Sequence, residues 1–243
     1  MQSPTSKKVI IVGATSGIGK EMALQYVNKG YTVGITGRRE VLLQELQQKF
    51  PSQIFTECFD VRANESIDHL TALIKKMNGV DIFIYNAGYG EISTTLNPEI
   101  ERATYEINVK GFVELIAYMF NYFLQQGYGQ IAATSSIAAV RGNSQAPGYS
   151  ASKAFISTYM EGLHMKTKKL KANLYITDVQ PGFIKTKPAQ GNVQFWAASS
   201  EKAAKQIIAA IDAKKWRVYI TKRWWLIAKI MKYVPAWLYH RIG

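Results

Sequence analysis

In the stretch PGYSASKAF, residues 147–155, Tyr149 lies one helical turn ahead of Lys153 among small residues. Side chains at i and i+4 share a helix face, so this spacing sets a phenol beside an ammonium. A neighbouring cation favours phenolate. Lys153 is therefore expected to lower a phenol pKa that is ordinarily about 10 and to let Tyr149 exchange protons near neutrality. The pattern is cheap by chance. A plain helix start, with Pro147 and Gly148 closing a loop, explains it equally well unless other groups give the proton something to do.

Such groups occur earlier in the chain. Gly13, Gly17 and Gly19 fall in GATSGIG, between an apolar run and a helical pattern. Glycines there permit a tight turn and close approach of a pyrophosphate, with the free N–H groups of a helix start facing it. Thr15, Ser16 and Ile18 belong to the same turn. The next apolar run ends in TGRRE. Where a ribose-binding acid is usual in an NAD site, Gly37 stands instead, followed by Arg38 and Arg39. Guanidinium groups attract a 2′-phosphate, which points to NADP(H); the alternative is a solvated arginine pair opening a helix. Asp60 ends a third run, with Val61 after it, and either accepts from an adenine amino group or caps the following loop. Asn86, Ala87 and Gly88 leave a fourth run, where small residues let a cofactor pass close to the backbone.

The elements that must position these residues read as a strict alternation. Strands are expected at 9–13, 31–36, 53–60, 80–88, 130–136, 174–182 and 217–221. Helices are expected at 17–29, 39–49, 65–77, from Pro98 to about Gln125, at 149–170 and at 201–213. This order implies a doubly wound α/β fold, a parallel sheet with helices on both faces, in one domain over residues 1–221. Such sheets bind ligands beyond the carboxyl ends of their strands. The loops at 13–19, 37–39, 60–62, 86–90, 136–142 and 181–195 are therefore expected to line one site.

Taken together, GATSGIG, YNAG, Asn108 in EINVKG, Ser136 in SSIAA, YSASK and PGFIKT resemble the short-chain dehydrogenase/reductase family, over roughly residues 8–221 and in family order. The resemblance implies a Rossmann-like fold and hydride transfer between a nicotinamide and a carbonyl or alcohol carbon. It implies catalytic roles for Asn108, Ser136, Tyr149 and Lys153. Tyr149 would move the proton, Ser136 would hydrogen-bond the reacting oxygen, and Lys153 would also hold the nicotinamide ribose. Asn108 would hold a relay water; read on its own, it is a polar interruption of a long helix. Pro181, Gly182, Ile184 and Thr186 would cover the nicotinamide, and Phe183, Phe195 and Trp196 would form a substrate lid or else local core. Two positions depart from the pattern: Val12 stands in place of Thr, and Tyr85 in place of the first Asn of NNAG.

Composition narrows the remaining classes. One cysteine, Cys58, cannot form an internal disulfide, the four apolar residues VIIV are too few for a signal-peptide core, and the reading is of a cytoplasmic protein. His69, His164 and His240 lack metal spacing, so no metal is expected. The formal charge is +13, yet residues 214–243 hold eight basic residues and no acidic one. No nucleic-acid partner is expected, because the rest of the chain is nearly balanced. Residues 222–243 read as a basic amphipathic tail with Trp224, Ile227, Ala228, Met231 and Val234 on one face. That face is expected either to dock on the protein itself or to meet a membrane surface. The family likeness implies a homodimer or homotetramer through the helices near 100–125 and 149–170. The leading expectation is an NADPH-dependent oxidoreductase. The alternative from another class is a non-catalytic NADP(H)-sensing regulator, against which the full Asn108, Ser136, Tyr149 and Lys153 set argues.

Overall fold

The computed structural model describes residues 6–185 and 196–242. Strands β1 (Lys8–Val12), β2 (Thr32–Gly37), β3 (Ile54–Cys58), β4 (Ile82–Tyr85), β5 (Gly129–Thr134), β6 (Leu174–Pro181) and β9 (Arg217–Ile220) form one sheet in the order β3-β2-β1-β4-β5-β6-β9. Every pairing is parallel. The inner strands read as near-continuous apolar runs because both sheet faces are covered. One face packs α1 (Gly17–Asn28), α2 (Glu40–Lys49) and α7 (Ser200–Asp212) over Val9, Ile11, Val33, Ile35 and Ile84. The other packs α3 (Ser66–Lys76), α5 (Gly111–Gln126) and α6 (Pro147–Lys169) over Ile10, Val12, Phe83 and Ile131. This is the expected doubly wound, single-domain α/β fold.

Three local features differ from the sequence reading. The helix expected from Pro98 to about Gln125 is interrupted: α4 (Pro98–Tyr105) passes through a wider π turn at Glu106–Lys110 before α5 begins. A small parallel pair, β7 (Ile184–Lys185) and β8 (Ala198–Ser199), brackets the segment after β6. The tail forms α8 (Arg223–Tyr233) and α9 (Ala236–Ile242), parted at Pro235, which cannot continue the first helix. Thr186 and Phe195 lie outside the described residues.

The apolar surplus of α5 goes into the core. Leu115, Ile116, Met119 and Phe120 are all buried against the sheet within one chain, as is Ile156 of α6. On the helices expected at the subunit contact, Tyr105, Phe155 and Met165 keep substantial surface, and Tyr159 is half-buried. Among the described residues no helix is long and apolar enough to cross a membrane, and no cluster of His, Cys, Asp and Glu could hold a metal ion. His69 pairs with Glu57 and stacks on Phe59, and His164 stacks on Trp216.

Candidate active site

Strand order reverses between β1 and β4, so the loops leaving them diverge and open a crevice at their carboxyl ends. Gly13 sits there at φ 83°, and a Cβ on it would lie 2.7 Å from the backbone of Ala87. No other residue type fits that turn without strain. Asn86 ties the crevice together: its Nδ2 donates to the Gly13 carbonyl at 3.1 Å and its Oδ1 accepts from Thr134 Oγ1 at 3.1 Å. Asn86 thus joins the ends of β1, β4 and β5. The hydroxyl of Ser16 does not cap α1, and the first turn carries no acidic residue. The N–H groups of Gly17, Ile18 and Gly19 are left for an anion. A cradle that a single Cβ at Gly13 would fill, beside an uncapped helix start, fits a dinucleotide.

At the end of β2 the two arginines diverge. Arg39 donates from Nε to Thr15 Oγ1 at 3.1 Å and from its terminal nitrogen to the Thr15 and Ser16 hydroxyls, so it lies across the glycine turn. Arg38 is more open and stands 3.7 Å from Asp60. Asp60 is clamped by Arg62, whose backbone N–H and guanidinium donate to it at 2.7 to 3.1 Å. Partial burial would raise the Asp60 carboxyl, but the Arg62 hydrogen bonds and the charges of Arg62 and Arg38 hold it below the ordinary value. Of the two readings of Asp60, the geometry favours the loop clamp. Val61 is buried against Gly111.

Beyond the crevice, β5 and α6 bring Ser136, Tyr149 and Lys153 together, and the π turn adds Asn108. Ser136 opens the 3-10 turn Ile137–Ala139, its Oγ accepting from Ala138 N–H at 3.1 Å, and its hydroxyl faces Tyr149 closely enough to pull the phenol pKa down. Lys153, 4% exposed, donates to the Thr134 carbonyl at 2.9 Å and places Nζ 5.6 Å from the Tyr149 ring centroid. Asn108, fully buried, donates to the Tyr89 carbonyl at 2.7 Å and to Ser152 Oγ at 2.9 Å, and accepts from Tyr89 N–H at 2.9 Å. Its side chain therefore pins the loop after β4 onto α6. Glycines in that loop allow the contact: a Cβ on Gly88 would meet Lys153 Nζ at 3.0 Å, and one on Gly90 would run into the Tyr149 ring.

The electrostatics correct one sequence expectation. Burial raises the Tyr149 pKa, the Ser136 hydrogen bond only partly offsets this, and no lowering by Lys153 emerges. The ammonium stands 5.6 Å from the ring centre, is engaged by the Thr134 carbonyl and is itself desolvated. Burial brings Lys153 down to about 8, with the Asp178 charge pulling the other way. Tyr149 is thus a protonated phenol at neutral pH.

The far wall is aromatic. Pro181 ends β6, and a Cβ on Gly182 would strike the indole of Trp224 in α8. Phe183 and Trp196 meet Trp224 edge-on at 5.3 and 6.3 Å. Trp224 also packs with Ile137, Val140 and Ala228, directly after Ser136. The tail's expected apolar face, Trp224, Ile227 and Ala228, is therefore turned onto the body beside the site. Its indole N–H is buried with no hydrogen-bond partner among the described residues.

Several participants were not singled out from sequence. Asp178, fully buried behind Lys153, accepts from Ser135, Ser157, Gln180 and Arg217 at 2.5 to 3.0 Å. An acid inside an apolar strand was the available signal, since burial of a charge demands such partners. Ser135 points away from the site to make this contact, as strand alternation requires. Thr134, Tyr89 and Ser152 act through backbone and hydroxyl contacts that no spacing rule reveals.

Comparison with known proteins agrees with this geometry. A family model for short chain dehydrogenase matches residues 7–197. An uncharacterized oxidoreductase of Myxococcus xanthus is 29% identical over 192 residues, covering 76% of this chain and 75% of its own. The solved structure of ElxO with NADP bound superposes with a TM-score of 0.79 at 22% identity, covering 89% of this chain and 97% of that one. A 3-ketoacyl-(acyl-carrier-protein) reductase from Brucella melitensis, complexed with NADH, superposes with a TM-score of 0.80 at 19% identity over 88% of this chain and 96% of its own. The family match runs from the glycine turn through the Tyr149 helix to the aromatic wall, and by it the chain belongs to the short-chain dehydrogenase family of nicotinamide-dependent oxidoreductases.

Proposed function

We propose that this protein is an NADPH-dependent carbonyl reductase in which Tyr149 delivers the proton to the substrate oxygen. The observation that carries the reading is the convergence on one strand edge of a half-buried phenol, a serine hydroxyl facing it and a buried amine 5.6 Å from its ring centre. The turn from Gly13 through Gly19 would hold the pyrophosphate, and Arg38 and Arg39 the 2′-phosphate. Ala87, Gly88 and Val61 would pass close to the adenosine half. Lys153 and Tyr149 would hold the nicotinamide ribose, and Pro181, Gly182 and Ile184 the nicotinamide; Thr186 is proposed for its carboxamide. When bound, the cofactor supplies the hydride that the carbonyl carbon accepts.

The chain's own groups do the rest. Ser136 donates a hydrogen bond to the oxygen on which negative charge grows. Tyr149 gives its proton to that oxygen, completing the alcohol and leaving a phenolate. Lys153, charged below about pH 8, offsets that phenolate. A phenol held above its ordinary pKa stays protonated at neutrality and so is available as the donor in the reducing direction. Asn108 keeps the Gly88–Gly90 loop seated against both side chains.

Phe183, Trp196 and Trp224 would exclude water and select apolar substrate bodies. Titration calorimetry with NADPH and NADH tests the cofactor half. NADPH should bind roughly 10- to 100-fold more tightly, as a charged hydrogen bond contributes about 1.5–3 kcal/mol. Equal affinities would reject the phosphate-reading arginines.

A further inference from the structure

The inner face of α8 is used up by the protein, yet its outer face is not polar. Trp225, Leu226, Ile230 and Tyr233 are 50, 55, 52 and 73% exposed, and Trp237 of α9 is 64% exposed. Four large apolar or aromatic side chains on the solvent side of an 11-residue helix depart from the usual surface pattern. The tail is also held in place. Arg141 donates to the Val234 carbonyl at 3.0 Å and stacks on the Tyr239 ring at 4.5 Å, and Tyr239 Oη donates to the Gly142 carbonyl at 2.7 Å. The outward face is therefore a built surface.

Basic side chains are interleaved with this face. Lys229 lies 5.8 Å from the Trp225 ring, and Arg241 5.8 Å from that of Trp237. Lys222 and Lys232 are exposed beside them, and residues 214–243 contain no acidic residue. We propose that the outer face of α8 and α9 docks on an anionic lipid bilayer, with Trp225, Leu226, Ile230, Tyr233 and Trp237 entering the headgroup region and the lysines reaching lipid phosphates. Tryptophan and tyrosine favour that interface, and lysine stems cover apolar surface while their charge stays in the polar layer.

Other occupants fit less well. A two-fold contact between copies would set this wholly basic face against itself. Nucleic acid would use the lysines but leave Leu226 and Ile230 without a partner. The face that docks is the reverse of the one the amphipathic pattern suggested, because Trp224, Ile227 and Ala228 already cover Ile137 and Tyr219.

Co-sedimentation of the full chain with vesicles tests this. Vesicles of phosphatidylcholine with phosphatidylglycerol should bind it, and pure phosphatidylcholine vesicles should bind at least about tenfold less. Raising salt to about 0.5 M should weaken binding several-fold. Leu226→Ser with Ile230→Ser, and separately Trp225→Ala with Trp237→Ala, should each lower vesicle binding about tenfold or more while the melting temperature and the mass in solution stay unchanged. Brominated lipid should quench the tryptophan fluorescence of the parent, and quench the tryptophan double variant less. The proposal is overturned if the intact chain ignores anionic vesicles or if both double variants bind like the parent. It is also overturned if the face mediates self-association that the variants abolish, or if duplex DNA competes at equal affinity with equal losses in the variants.

Discussion

The two walls of the candidate site are built on different principles. The wall from β4, β5, the π turn and α6 is polar, buried and almost saturated with hydrogen bonds: Asn108 makes three, Lys153 reaches a carbonyl, and Asp178 on β6 backs it by accepting from four side chains. The wall from β6 and α8 is aromatic, with Phe183 and Trp196 half-open around Trp224. The first wall sits on strand ends and one helix, where a shift of an ångström would break several contacts together. The second rests on packing of a terminal helix and can change without disturbing the sheet. A fold that hosts many substrates keeps its chemistry on the rigid wall and places its selectivity on the replaceable one.

The largest expected effect lies on the polar wall. Tyr149→Phe keeps the ring under Lys153 but removes the proton, and should cost about 10²–10⁴-fold in kcat. NADPH affinity should fall far less, by no more than several-fold, because Lys153 still holds the nicotinamide ribose when the one Tyr149 hydroxyl contact is lost. Next, on the aromatic wall, Trp224→Ala removes a side chain that is 7% exposed and fills the space over Gly182. It should lower unfolding free energy by about 3 kcal/mol and raise the KM for carbonyl substrates more than it lowers kcat, with denaturant melts and steady-state kinetics as readouts. If Trp224→Ala instead abolished kcat while sparing KM, the division between the walls would fail.

Arg38→Ala should weaken NADPH by about 10- to 100-fold and leave NADH nearly unchanged in parallel titrations. Placing an acid at Gly37 is a poorer test, since a Cβ there would meet Thr15 Cγ2 at 2.7 Å and disturb the glycine turn as well. The smallest effect is that of pH on Lys153. Its pKa is depressed to about 8 from 10.5, so between those values the folded protein holds fewer protons than the unfolded chain. Its contribution to stability therefore rises with pH across that window, and the burial penalty is fullest below about 8. Affinity for an anionic cofactor should run the opposite way, falling severalfold as pH passes about 8. Lys153→Arg, which keeps its charge, should flatten that fall in fluorescence titrations.

Much of this was legible in sequence because the signals are local. Apolar runs bounded by turn residues place the strands, Gly13 marks a positive-φ turn against Ala87, and the i, i+4 spacing sets Tyr149 beside Lys153. What escaped depends on burial and distant contact. Spacing alone says that a cation neighbours a phenol, but not that the amine is buried against the Thr134 carbonyl or that burial outweighs its charge at the phenol. The π turn at Asn108 arises where its side chain bonds Tyr89 and Ser152, partners remote in sequence. The tail pattern showed one apolar face correctly, but the second, formed by Leu226, Ile230 and Tyr233 among lysines, is too mixed for periodicity to isolate.

The most direct test of the central claim is a product balance. The protein is mixed with NADPH and a panel of aldehydes and ketones, the near-ultraviolet absorbance of NADPH is followed, and the alcohol is quantified. NADH and the Tyr149→Phe variant are run alongside. The account predicts one alcohol formed per NADPH consumed, a slower reaction with NADH, and near silence from the variant. Tight NADPH binding with no turnover across the panel, or turnover that Tyr149→Phe leaves intact, would contradict it.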